Sequence, residues 1–546
     1  MNKRMNILTN RRLQVLMLVI TGIVLVTASC TKKFEQINTD KNTIGTIGPL
    51  ELPFLFSHAE EVATTNANNY QIAQNLFADQ YCQYFACEAT YFPSDRLVIR
   101  QDWVGANFNP VYSDVLPQLQ IIFSKKDSLT AEHAMAEVLM VYAFHKVTDY
   151  WGPIPYFNAG QVLTSMPYDP QDKIYDDFFK RLTAAVAVLK TFAGQNAYGS
   201  YDLIYGGDVN SWIRFANTLR LRLALRISAV DPARAQTEGE AAFNDGVMTK
   251  SPDHDALIKR SANGGDNNGL SIMSDWNEFR MSSTMASVLK GYEDPRISQY
   301  FLPTVNSGDP TFGVFGHYSG LRNGLSVDQL GLSPNLADAN SHVGARWAST
   351  NVKVGGTSVG RGDYVATSQN VMETAEAYFL RAEGVLNGWN VGGGMSAQQL
   401  YEAGITNSMY QWGIIDDNAI KAYYQSADTP IAPGDGYGSL RVSNTPIAWS
   451  SNVDTERIQI ATQKWLALYP DGMEAWADWR RSHIMPLYPV VNSDNPLITN
   501  TKTQWIRRIP FLDSEKQSNA AAVTDATNNL LGGPDNVLTP LWWDKN

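Results

Sequence analysis

The feature that most constrains this chain is a helical period of apolar residues that recurs along much of its length. Ala134, Val138, Val141, Tyr142 and His145 fall at i, i+4, i+7, i+8 and i+11, so they share one face of a helix. Trp212, Phe215, Ala216, Leu219 and Leu223 repeat the pattern, as do Ala375, Tyr378, Phe379, Ala382, Val385 and Leu386. Ile458, Ala461, Trp465 and Leu468 form a further stripe. Each stripe has the width expected of a helix packed on a neighbour. Strand alternation is confined to short candidates such as Asn351 to Val354, so the fold class is mostly α.

Several helices are expected in pairs. Val371 to Asn387 reads as one helix, followed by Gly388 and the glycine turn Gly392-Gly393-Gly394. A second helix then starts behind Ser396, a suitable N-cap, and presents Ala397, Tyr401, Gly404 and Ile405 for close packing. The unit is similar to a tetratricopeptide hairpin, yet no clean repeat of about 34 residues runs through the chain. Degenerate hairpins within one larger body are therefore expected.

Between the helical blocks lie polar, Gly/Asn/Ser-rich segments over 250–275, 303–370 and 425–455. Loops of that length are uncommon in compact domains unless they serve a function. In or beside them stand Trp276, Tyr318, Trp347 and Tyr437. An aromatic ring next to amides and guanidinium groups suits the C–H face and hydroxyls of a sugar, and it suits a peptide equally well. The candidate ligand-binding residues are Trp103 with Asn107, Trp276 with Asn277, Tyr318, and Trp347 with Arg346. Against each stands the plain reading that a single surface aromatic needs no explanation.

The N-terminus carries an address. Lys3, Arg4, Arg11 and Arg12 precede an apolar run from Leu13 to Val26, too short for a bilayer span of roughly 20 residues. Thr27, Ala28 and Ser29 then lead to Cys30. Residues 1–29 read as a removed signal segment, with Cys30 acylated as the new N-terminus and 30–546 as a single domain. The position three before the cysteine is Thr27 rather than the usual Leu, and ordinary cleavage after Ala28 is the alternative. Several acyl chains on one cysteine anchor a protein firmly.

Other chemistries fit poorly. The formal charge of −11 and the lack of Lys/Arg blocks argue against nucleic acid. Cys82 and Cys87 sit in a stretch that reads as helix, roughly 8–9 Å apart, so two buried thiols are favoured over a disulfide. Gly356-Thr357-Ser358-Val359-Gly360 matches a nucleophile elbow, but no helix immediately follows and nothing positions His483 as its base. Arg361-Gly362-Asp363 matches an adhesion tripeptide by chance. The seven histidines include no pair at i, i+4, and Asp253, Asp255 and Asp266 lack the spacing of a calcium loop. No metal and no cofactor are expected. Arg222 and Arg226, in a row with Arg214 and Arg220, are assigned to ion pairs between helices. Trp465, Trp476, Trp542 and Trp543 are assigned to the core.

An ordered set of motifs runs along the chain. Phe34 to Asp40 comes first, and Asp149-Tyr150-Trp151-Gly152-Pro153-Ile154-Pro155-Tyr156 closes a helix. Asp202 to Asp208, Phe215-Ala216-Asn217, Asp294-Pro295-Arg296, Gln463-Lys464-Trp465, Gly472-Met473-Glu474-Ala475-Trp476 and the tail Gly533 to Asp544 follow in order. Taken together they resemble the SusD/RagB family of nutrient-binding outer-membrane lipoproteins from Bacteroidetes, with Phe34 to Asp40 similar to its opening segment. The resemblance implies a SusD-like α-helical domain with long ligand-binding loops and no catalytic residues, hence not an enzyme. It implies capture of oligosaccharide or oligopeptide at the cell surface and delivery to a SusC-like TonB-dependent transporter, with the protein as its lid. An exported hydrolase and a non-binding adaptor of the transporter complex are the rival readings. Thr31-Lys32-Lys33 follows the cysteine where surface-exported relatives often carry acidic residues, so surface exposure rests on the resemblance.

Overall fold

In the computed structural model the described residues are 47–65, 67–304 and 316–545. The signal segment, Cys30 and the Phe34 to Asp40 motif lie outside them. The helices that carry the architecture are α1 (Gln101–Pro110), α2 (Ala131–Trp151), α3 (Gln171–Thr191), α4 (Val209–Arg226) and α5 (Pro232–Asp245), then α6 (Gly269–Trp276) and α7 (Ser283–Gly291). They continue as α8 (Thr374–Leu386), α9 (Ala397–Gln411), α10 (Val453–Ala467) and α11 (Gly472–Ser482). Sheet among the described residues is limited to three antiparallel pairings. These join β1 (Phe85–Cys87) to β3 (Phe279–Met281), β2 (Ala256–Ile258) to β6 (Gln369–Met372), and β4 (Lys353–Val354) to β5 (Thr357–Ser358). The mostly α class read from periodicity is the observed one.

The apolar stripes face inward. Every residue of the Ala134 and Trp212 stripes is buried, and so are Phe379, Ala382, Trp465 and Leu468. The chain packs α2 on α3, α4 on α5 and α8 on α9, with α4 and α10 both lying against α8. Ser396 caps α9 as expected, in a reciprocal capping box with Gln399. Gly404 is required there: a Cβ would stand 2.7 Å from the Phe379 ring, so only a bare Cα lets α8 and α9 approach this closely.

The pairs are fastened by charge. Arg222 on α4 makes a two-pronged bond to Glu376 on α8, at 2.7 and 2.5 Å. One turn on, Arg226 reaches Glu474 on α11 at 2.5 Å and Asp149 on α2 at 3.3 Å. Arg481 and Lys464 share Glu383 and Asp478, tying α8, α10 and α11 together. All these groups are buried. Burial pushes the Glu383 carboxyl up, but Arg481 and Lys464 outweigh it and hold it below the usual range. Helix-to-helix ion pairing, expected for Arg222 and Arg226, is what they do.

Two local expectations are corrected. Val371 and Met372 belong to β6, so the helix begins only at Thr374, because pairing with Ala256 and Leu257 holds that stretch extended. Cys82 and Cys87 do not share a helix. The helical turn Ala78–Tyr81 ends at Cys82, Gln83 takes a left-handed φ of 57°, and the chain enters β1, which ends at Cys87. Gln83 is held there by its Nε2, which donates to the Tyr488 carbonyl at 2.6 Å. Both thiols are free and buried, as anticipated.

Candidate ligand-binding site

The β1–β3 pairing decides which loops meet. With Cys87 opposite Phe279, the chain leaving β1 runs beside the residues entering β3. The amides of Glu88 and Ala89 both donate to the Glu278 carbonyl, at 2.8 and 3.3 Å. The Glu278 carboxylate then accepts from the Tyr91 hydroxyl and from Gln71 Nε2. That bond to Glu278 retains the phenol proton and pushes the Tyr91 pKa up to about 12. Tyr91 meets Phe92 edge-on at 4.6 Å, and Phe92 meets Trp103 edge-on at 5.6 Å. The Arg100 guanidinium lies over the Trp103 ring at 4.9 Å and pairs with Asp102. The result is a ledge of linked rings, with Tyr91 65% exposed at its outer end.

Trp276 stands on the neighbouring segment and is 50% exposed. It is the last residue of α6 because Asn277 takes a left-handed φ of 60° and turns the chain toward β3. Its neighbours Asp275 and Asn277 line a polar cleft of about 340 Å³, together with Arg280, Asp338, Asn340 and His342. Buried Arg280 fixes the lip of this cleft. Its guanidinium donates to Asn277 Oδ1 at 2.5 Å, to the Ala337 carbonyl at 3.0 Å and to the Phe279 carbonyl at 2.7 Å. An exposed indole beside fixed amides, carboxylates and a guanidinium can stack a ring and bond its substituents.

The other candidates are placed differently. Trp347 is only 2% exposed, packed at 5.8 Å from Trp412 and 5.9 Å from Tyr469, so it is a core ring rather than an open loop aromatic. Arg346 lies over the Trp347 and Trp412 rings at 5.5 and 4.8 Å. Tyr318 is 7% exposed, and Asn107 is buried with its Nδ2 unpartnered. Trp103 sits in the first turn of α1 rather than in a loop. Tyr91, Phe92 and Glu278 went unnoticed in the sequence, although Tyr91-Phe92-Pro93 is a pair of rings at a turn and could have flagged them.

Rival chemistries find no geometry. Ser358 lies in the exposed β4–β5 hairpin, and its Oγ donates to the Thr350 carbonyl at 2.7 Å. A nucleophile elbow needs a helix directly after the serine, and here two further residues and a loop intervene before a short turn at Tyr364–Ala366. Asp253 pairs with Lys250, Asp255 bonds Ser251 and the Thr374 amide, and Asp266 pairs with Arg260, so the three do not converge. Among the described residues no group of acidic, His or Cys side chains could hold a metal ion. Nor is any described helix long and apolar enough to cross a membrane.

Comparison with known proteins places this architecture. Residues 31–544 match the SusD-like family model, described as SusD and RagB outer membrane lipoproteins. A chitin-binding SusD homologue from Flavobacterium johnsoniae superposes with a TM-score of 0.78 at 33% identity, covering 91% of this chain and 99% of that one. SusD homologues from Bacteroides vulgatus and Bacteroides uniformis give the same TM-score at 29% and 27% identity, covering 91% and 92% of this chain and 98% and 100% of theirs. No curated protein sequence matches the chain. The chain belongs to the SusD/RagB family of outer membrane lipoproteins.

Proposed function

We propose that this protein captures carbohydrate at the ledge formed by Tyr91, Phe92 and Trp103 with Trp276, and hands it to a SusC-like TonB-dependent transporter. The observation that carries the reading is the half-exposed Trp276 ring flanked in sequence by Asp275 and Asn277, which line a polar cleft fixed by buried Arg280. Rings supply a face for the sugar's C–H groups, while Asn277, Asp275 and Asp338 supply partners for its hydroxyls. A relative 33% identical is a chitin-binding protein, which favours carbohydrate over peptide. No covalent step is involved, so the protein acts as a binder and not as an enzyme. Its family's description as lipoproteins supports an acyl anchor on Cys30, holding it at the outer membrane.

The test is calorimetric titration of soluble protein starting after Cys30 with chito-oligosaccharides, other oligosaccharides and oligopeptides. Saturable binding of a carbohydrate, weakened about tenfold by Trp276→Ala or Trp103→Ala, or about 1.4 kcal/mol, is the expected result. Peptide binding alone overturns the substrate class. No binding of either, with intact folding, favours a structural adaptor of the transporter complex.

A further inference from the structure

Arg346 differs from every other arginine among the described residues. Each of the others donates to a carboxylate, hydroxyl or carbonyl oxygen. Arg381 shows the ordinary case: it lies over the Phe243 and Tyr378 rings and still donates to the Val391 and Gly392 carbonyls at 2.9 Å. Arg346 lies over Trp347 and Trp412 in the same way, yet its guanidinium has no acceptor and no counter-charge among the described residues. Its side chain is partly buried, and none of its nitrogens is sealed from solvent.

The backbone beneath it is fixed. The Thr367 hydroxyl donates to the Arg346 carbonyl at 2.6 Å, and the Ser274 hydroxyl donates to the Trp347 carbonyl at 2.6 Å. Gly344, just before the turn, packs so closely that a Cβ there would stand 2.2 Å from the Gln299 carbonyl oxygen. Stacking on two indoles fixes the plane of a guanidinium and leaves the N–H groups at its edge to bond outward. Burial and the neighbouring Arg361 both push the Arg346 pKa down, and Arg361 is itself occupied by a two-pronged bond to Asp363. A cation partly withdrawn from water beside a second cation is unfavourable until an anion meets it.

Donors lying in one plane match a carboxylate, whose two oxygens accept side by side. Ser274 stands two residues before Trp276 on α6, so the Arg346 turn is fastened to the helix that ends in that exposed indole. We propose that Arg346, seated on Trp347 and Trp412, anchors the carboxylate of an acidic sugar, a hexuronic acid unit of the captured carbohydrate. The proposal rests on carbohydrate capture at the ledge only for the kind of molecule that brings the carboxylate.

The experiment titrates the whole soluble chain after Cys30 with trigalacturonate, with galactotriose as its neutral counterpart and with trialanine, by calorimetry at low and high salt. Trigalacturonate is expected to bind about tenfold tighter than galactotriose and to weaken as salt rises, while the neutral sugar is insensitive to salt. Arg346→Gln should remove that preference, and Arg346→Lys, which keeps the charge but loses the fork, should retain only part of it. No saturable binding of trigalacturonate overturns the proposal, and if chito-oligosaccharide still binds, the ledge reading stands. A preference unchanged in Arg346→Gln also overturns it. Binding of trialanine alone, lost in Arg346→Gln, overturns the acidic sugar together with the carbohydrate reading. Should Arg346→Gln fail to fold, Arg346→Lys decides, since an undiminished preference there contradicts a forked bond.

Discussion

Arg222 and Trp276 stand for two regions built on opposite principles. Around Arg222 the helices α2, α4, α8, α10 and α11 are joined by ions withdrawn from water, where each charge has its partner fixed at 2.5–3.6 Å. Around Trp276 the backbone is held by a three-residue strand pairing and a left-handed cap, and the rings are left partly in solvent. The first region spends its polar groups on itself. The second leaves the Tyr91 and Trp276 rings in solvent on a backbone fixed by local bonds, which is what separates a scaffold from a binding face.

Substitutions should divide along the same line. Arg222→Ala strands the Glu376 carboxylate in the core and is expected to cost about 3–5 kcal/mol in chemical unfolding. Gly404→Ala drives a methyl group against Phe379 and should cost about 1–3 kcal/mol in the same assay. Trp276→Ala should leave the unfolding free energy within about 0.5 kcal/mol of wild type, since its ring is half exposed, while affinity for carbohydrate falls about tenfold. Glu278→Gln removes the charge that holds Tyr91 and Gln71, and a smaller loss of about threefold in affinity is expected. Equal stability losses for Trp276→Ala and Arg222→Ala would erase the contrast.

Acid should sharpen it within the scaffold. Burial raises the Asp79 carboxyl to about 7, against an unfolded value of about 3.9. The folded state therefore holds the proton that the unfolded state releases, and this group's contribution is present below about pH 4 and lost as pH rises toward 7. Asp79→Asn should flatten the pH dependence of unfolding between those limits, because its amide never ionises. An unchanged slope in that variant would assign the titration to another group.

The scaffold was legible because burial repeats every turn. The Ala134 and Trp212 stripes lie in the interior, Ser396 caps its helix, and Arg222 pairs across helices. The binding face was legible only in part, since no period marks it. Trp276 is exposed as read, but Trp347 and Tyr318, chosen by the same reasoning, are buried, Trp347 against Trp412. Composition cannot tell a loop that covers a core from one that opens on solvent. Tyr91 and Glu278 escaped notice because they meet across 187 residues, through a strand pairing too short to show alternation.

The most direct measurement is a paired one on the double variant Trp103→Ala/Trp276→Ala, with carbohydrate affinity by calorimetry and stability by chemical unfolding in the same preparation. Wild-type-like cooperative unfolding with carbohydrate binding at the ledge abolished is the predicted result. Binding retained at wild-type affinity, in a protein that unfolds normally, would contradict the assignment of the ledge as the capture site.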